Sequence, residues 1–148
     1  MNKTDTSCEN LCKFVKTLES VNLITEFEKT AKYTFCDSFK TYITKNNGGR
    51  PNKRIFDTNK AKEREVKTFL SFNKDDKETV WKSFEACKEK LNDIFIPFAI
   101  DNFGNLICFN ISNDNIIFLN HENLTIEIVA ENFDDFIKTL RSDTYDIH

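Results

Sequence analysis

Three residues in the last third of the chain have the side-chain types of a nucleophilic hydrolase: Cys108 as nucleophile, His121 as general base and Asp101 to orient the base. Cys108, however, lies inside the apolar run 106–111, and burial in such a run raises a thiol's pKa and blunts its reactivity. His121-Glu122 opens like a zinc-hydrolase helix, but that motif needs a second His four residues on, and position 125 is Thr. Cys8 and Cys12 are four apart, which puts two thiols on one face of a helix; a lone pair falls short of the four ligands of a structural zinc site. Gly48-Gly49 is not part of a phosphate-binding loop, since neither G-x-x-x-x-G-K-[ST] nor G-x-G-x-x-G occurs. The sequence offers no catalytic residues, no metal site and no cofactor motif, so we read it as a non-enzyme.

Charge is the stronger chemical signal. Residues 45–67 carry eight Lys or Arg against three Asp or Glu, whereas residues 92–148 carry two against ten, so a formal net charge of −3 conceals two opposite poles. The basic segment has few aromatic residues among its cations and sits in an acidic protein, which disfavours nucleic acid as partner. It reads as a solvated loop or as an internal counterpart of the acidic end. The acidic third reads either as an ordinary solvated face, with Asp134 and Asp135 suited to a helix N-terminus, or as a docking face for a basic protein, because complementary charge speeds encounter and sets specificity. The residues expected to be exposed near its turns are Asp101, Asn102, Asp114, Glu122, Glu127 and Glu131, with His121 orienting one turn.

These residues need a scaffold, and 148 residues with 15 Phe, three Gly and two Pro suffice for one domain with a substantial core. The first residues lack an apolar signal segment, and no apolar run is long enough to span a membrane. Five scattered Cys do not resemble a disulfide framework, so the expectation is a cytoplasmic protein with reduced thiols.

Residues 7–20 have a helical period, with Leu11, Phe14, Val15 and Leu18 on one stripe and Thr6 and Glu9 at capping-box spacing. Further helices are expected from Thr25, over 37–45 and over 77–92, the last with Val80, Phe84, Cys87 and Leu91 on one face. Residues 46–51 form a turn. Residues 54–56 and 66–72 read as strands, the second by alternation of Val66, Thr68, Leu70 and Phe72. Four short apolar runs follow at 94–100, 106–111, 116–119 and 125–130, joined by turns too short for anything but antiparallel neighbours. Both alternating sets of 106–111 are apolar, which marks a strand covered on both faces. Asn132 caps a last helix that buries Phe133, Phe136, Ile137 and Leu140. The plan is α+β: a largely antiparallel central sheet of about five or six strands, packed with N-terminal helices and a C-terminal helix.

The stretch Ile96-Pro97-Phe98-Ala99 with Asp101 is followed by Gly104-Asn105-Leu106-Ile107-Cys108, Ile117-Phe118, His121-Glu122 and Phe133-Asp134-Asp135-Phe136-Ile137 with Leu140. This ordered set resembles the SUKH superfamily, which includes the Smi/Knr cell-wall-assembly regulators and many bacterial immunity proteins. Upstream, Phe39, Tyr42, Ile43 and Asn47-Gly48-Gly49 resemble the family's first helix pair and its turn. The similarity runs over about residues 25–141, within a single domain spanning 1–148. Two departures are Phe35-Cys36 where the family often has Leu-Pro, and a turn at Asn120-His121-Glu122 that lacks the family's Asp. The resemblance implies a SUKH-like α+β scaffold that binds protein rather than catalysing. It implies an immunity-type protein neutralising a cognate polymorphic toxin, often a nuclease, or alternatively a regulatory scaffold that recruits a protein partner.

Overall fold

The computed structural model describes residues 10–91 and 94–142. In chain order the elements are β1 (Cys12–Lys13), α1 (Asn22–Ala31), α2 (Asp37–Asn46), β2 (Arg50–Pro51), β3 (Ile55–Phe56), β4 (Arg64–Glu65), β5 (Thr68–Phe69), α3 (Val80–Leu91), β6 (Phe95–Ile100), β7 (Leu106–Asn110), β8 (Ile116–Leu119), β9 (Ile126–Ala130) and α4 (Phe133–Thr139). The principal sheet has the order β5-β6-β7-β8-β9 with every neighbour antiparallel, the expected α+β plan with five strands.

The sheet is buried on both sides. Ile107 and Phe109 of β7 point into the larger core with Phe39 of α2, Phe84 of α3 and Phe133 and Phe136 of α4. Leu106 and Cys108 point the other way, into a smaller cluster with Cys87 of α3 and with Ile117 and Leu119 of β8. The larger core is built from phenylalanine edges and faces: Phe39 meets Phe98 at 5.7 Å and Phe133 at 5.1 Å, both near perpendicular. Such geometry sets the positive ring edge against the negative face and adds about 0.5–1.5 kcal/mol per pair beyond area burial. Pro97 falls inside β6, not at its start. It is tolerated there because the ladder to β7 shifts register between Pro97 and Ala99, a bulge that removes the need for a donor. The outer edge of β9 is blunted by Asn59, whose N–H donates to the Ile128 carbonyl while its Oδ1 accepts from the Ile128 N–H.

Several expected elements change. Residues 10–20 are not helical: Cys12 and Lys13 pair with Pro51 and Arg50, and Leu11 and Phe14 are exposed. The Thr6–Glu9 capping box and Cys8 lie outside the described residues. The segment stays extended because it crosses the turn after α2 at close range: a Cβ on Gly49 would stand 2.7 Å from the Cys12 Cβ. Asn47, fully buried, fastens that crossing. Its Nδ2 donates to the Lys16 carbonyl at 2.8 Å and to Ser71 Oγ at 2.9 Å, and its Oδ1 accepts from the Phe72 N–H. That last bond replaces a ladder bond, one reason only Thr68–Phe69 of the expected 66–72 strand is regular. Helix α1 begins at Asn22, three residues before the expected Thr25, with Ser20 Oγ accepting from the Asn22 N–H. Helix α4 starts as anticipated, its Asn132 Oδ1 accepting from the Asp135 N–H at 2.8 Å.

Candidate functional site

Apart from Glu127, which lies within β9 opposite Phe118, the acidic and polar residues singled out in the sequence divide between the two ends of the sheet. Asp101 and Asn102 open the β6–β7 turn, and His121 and Glu122 stand in the β8–β9 turn at the same end, since the Asn105 Oδ1 accepts from the His121 N–H at 3.1 Å. Asp114 lies in the β7–β8 turn at the opposite end. Glu131 is on that side too, because it follows Ala130, which pairs with Ile116. The four residues of β8 separate the ends by about 13 Å. The seven residues therefore do not converge on a single turn or pocket.

Asp101 is not exposed as expected. It is 6% accessible and is the organiser of its turn. Its Oδ1 accepts from the Phe103 and Asn105 N–H groups, both at 2.8 Å, and its Oδ2 accepts from the Asn105 Nδ2 at 3.0 Å. Asn105 passes the connection on to His121, so the two turns at this end are tied through one buried amide. Gly104, at φ +87°, lets the chain turn beneath the His121 ring. His121 packs over this turn while Cys108 faces the smaller core, and Asp101 spends its oxygens on the turn. The candidate triad is not assembled. Burial, with a lesser contribution from neighbouring Cys87, pushes the Cys108 thiol well above its ordinary pKa. Among the described residues no three His, Cys, Asp or Glu side chains converge on a place for a metal ion.

Glu127 is also committed within the chain. Arg64 binds it bidentately, Nε to Oε1 at 2.8 Å and Nη2 to Oε2 at 2.7 Å, and Thr58 donates to Oε1. The Arg64 guanidinium lies 4.1 Å from the Phe118 ring centroid, stacked between carboxylate and arene. The Arg64 hydrogen bonds, then that from Thr58, outweigh burial and hold the Glu127 carboxyl below its usual range. Asp114, in the left-handed region at φ 63°, accepts from the Tyr33 hydroxyl at 2.6 Å. Burial, followed by that bond and the Asp114 charge, pushes the Tyr33 hydroxyl pKa up. Glu122, Glu131 and Asn102 are exposed.

Short Asx turns stiffen the loops that carry the exposed residues. Asn110 Oδ1 accepts from Ser112 N–H, Asn113 from Asn115, Asn120 from Glu122, and Asn123 from Thr125. The sequence made these stretches turns; it did not show that each amide closes its own loop.

The basic segment is partly an internal counterpart of the acidic third, through Arg64 with Glu127, and partly paired locally, Arg54 with Glu65 and Lys67 with Glu78. Arg50 has no carboxylate partner among the described residues and stands under the exposed Phe14 ring, 5.6 Å from its centroid. This contact was not foreseeable while residues 7–20 were read as a helix with Phe14 on its apolar stripe.

No helix among the described residues is long and apolar enough to cross a membrane. No curated protein matches the chain. The family described as SMI1-KNR4 cell-wall, SUKH_6, matches residues 22–137, from the start of α1 into α4, and so covers the helix pair, the whole five-stranded sheet and the buried face of the closing helix. The chain belongs to this family of the SUKH superfamily.

Proposed function

We propose that this protein is a cytoplasmic immunity-type protein that binds and neutralises a cognate polymorphic toxin. Membership of the SUKH superfamily across residues 22–137 carries the reading. The pinned turns support it, because a surface stiffened before association loses less conformational entropy on binding. The surplus of acidic residues over 92–148 suits a basic partner such as a nuclease, whose phosphate-binding groove expects negative charge. The residues available for such contacts are Asn102, Asp114, Glu122 and Glu131 at their two ends of the sheet. Asp101, His121 and Glu127 act as supports for the surface.

The test is co-expression with the toxin encoded beside the gene, followed by affinity measurement with Glu122→Lys and Glu131→Lys made separately. Protection of the cells and an affinity loss of about tenfold or more in one variant support the reading and identify the end that binds. Failure to protect against every adjacent toxin refutes neutralisation. Unchanged affinity in both variants refutes the acidic surface. The family's description points to the second reading, a regulatory scaffold of the cell-wall type, and partner capture without protection would select it.

A further inference from the structure

On the opposite side of the charge distribution, two hollows of about 360 and 670 Å³ meet at Phe14, Arg50 and Lys67. Lys16 and Lys77 line the first, and Lys13 lines the second. Among the described residues, Lys13, Lys16, Arg50 and Lys77 have no carboxylate partner. The ridge between the hollows is Phe14. Its ring is 70% exposed, and its backbone stands at φ 57°, where a residue with a Cβ costs about 1–2 kcal/mol. A large apolar side chain raised into solvent on a strained backbone, between unpaired cations, has no evident role in the core. The same strand of chain is fixed from below by β1–β2 pairing and by the Lys16 bonds to Asn47, so the ridge is held in place rather than loosely draped.

We propose that this groove is a docking site for an extended acidic segment of a protein partner, with Asp or Glu side chains in the two hollows and an apolar side chain against Phe14. The site carries the opposite charge to the acidic surface and lies mainly on residues 13–16, 50–54 and 65–78, meeting the residues of the toxin reading only at Asn102, which lines the second hollow. A peptide fits better than nucleic acid for a specific reason. The hollows also hold Glu65, Asp76 and Glu78. A peptide can space its carboxylates to avoid them, whereas a nucleic-acid strand carries a phosphate at every nucleotide, about 3.4 Å apart along a strand, and would run phosphates against them.

The experiment uses the full chain and fluorescence anisotropy with three labelled probes: a ten-residue peptide with four Asp or Glu residues spaced among Ser and Gly around one central Leu, its Asn/Gln counterpart, and a ten-nucleotide oligothymidine. The variants are Phe14→Gly, which removes the ring while suiting the positive φ, and Arg50→Ala with Lys13→Ala; thermal unfolding verifies that each folds. The expected result is saturable binding of the acidic peptide alone, weakened about tenfold in each variant and weakened further by salt. No binding of the acidic peptide, equal binding of the Asn/Gln peptide, or unchanged affinity in both folded variants would overturn the proposal. Tighter binding of oligothymidine would overturn it in favour of nucleic acid. None of these outcomes depends on whether a toxin is neutralised.

Discussion

Exchanging Asp101 and Asn105 for one another tests whether the buried turn network, rather than negative charge itself, is what Asp101 contributes. In the native arrangement Asp101 supplies three acceptances and Asn105 contributes one donor and one acceptor. In Asp101→Asn, the new amide nitrogen faces the Asn105 Nδ2 across what was a 3.0 Å bond. Flipping Asn105 relieves that clash only by giving up its bond from the His121 N–H. One buried polar pair is lost either way, at about 1–3 kcal/mol. In Asn105→Asp, two carboxylates face each other at the same separation, with a comparable or larger cost. The double variant restores every bond, with only the 101–105 side-chain bond reversed: the amide at position 101 donates to the carboxylate at position 105, whose other oxygen accepts from the His121 N–H. Net charge is unchanged. Each single substitution is expected to lose about 2 kcal/mol in urea unfolding with an unchanged slope, and the double variant to recover at least half of the summed loss. Asp101→Ala, which strands the Asn105 donors, should cost about 3 kcal/mol and lower Tm by about 6–12 °C. A double variant no more stable than the sum of the singles would refute this account, as would a loss under about 0.5 kcal/mol in both singles.

Other expectations follow from the same geometry. Glu127 has its pKa depressed on folding by Arg64, so its pair is at full strength above the ordinary carboxyl value of 4.5 and is lost as pH falls through the lower folded value. Urea midpoints measured from pH 3 to 7 should therefore flatten at the acid end in Glu127→Gln, and a slope equal to wild type would refute the link. Arg64→Met, which leaves a 13% exposed carboxylate unpaired, should cost about 2 kcal/mol, read by the same titration at pH 7. Asn47→Ala removes three side-chain bonds, two of them fully buried, and should cost about 2–4 kcal/mol while raising proteolytic cleavage near residues 14–18; resistance equal to wild type would count against the fastening role. Phe98→Ala should cost about 3–5 kcal/mol by thermal or urea unfolding, whereas Phe14→Gly should change stability by less than about 1 kcal/mol. Equal losses in the two would contradict their assignment to core and surface.

The family match and the match between expected and observed α4 rest on the same property of the sequence. Asn132, Phe133, Phe136 and Ile137 act within two turns of helix, so their meaning survives without knowledge of the rest of the chain. The meander is legible for a similar reason: its turns are closed by their own Asp or Asn side chains, Asp101 after β6, Asn110 after β7 and Asn120 after β8, and strand neighbours are sequence neighbours. The two-sided burial of β7 was visible in its unbroken apolar run.

What tertiary structure alone decided lies at long sequence separation. Leu11, Phe14 and Val15 have a helical period, yet helix formation there would have to outcompete β1–β2 pairing and the Lys16 bonds to Asn47, 31 residues away. Local propensity is worth a few tenths of a kcal/mol per residue, and those contacts outweigh it. Glu127 looked like a free surface charge because nothing near it in sequence reveals Arg64, 63 residues upstream. Asp101 looked exposed because a turn in an acidic stretch ordinarily is; burial followed from the second turn folding over it through Asn105 and His121. Composition and short-range pattern thus determined the elements and the two charge poles. Only the folded chain decided which charges are spent holding it together and which remain for a partner, because an ion pair or a buried amide is specified by two positions that the sequence places far apart.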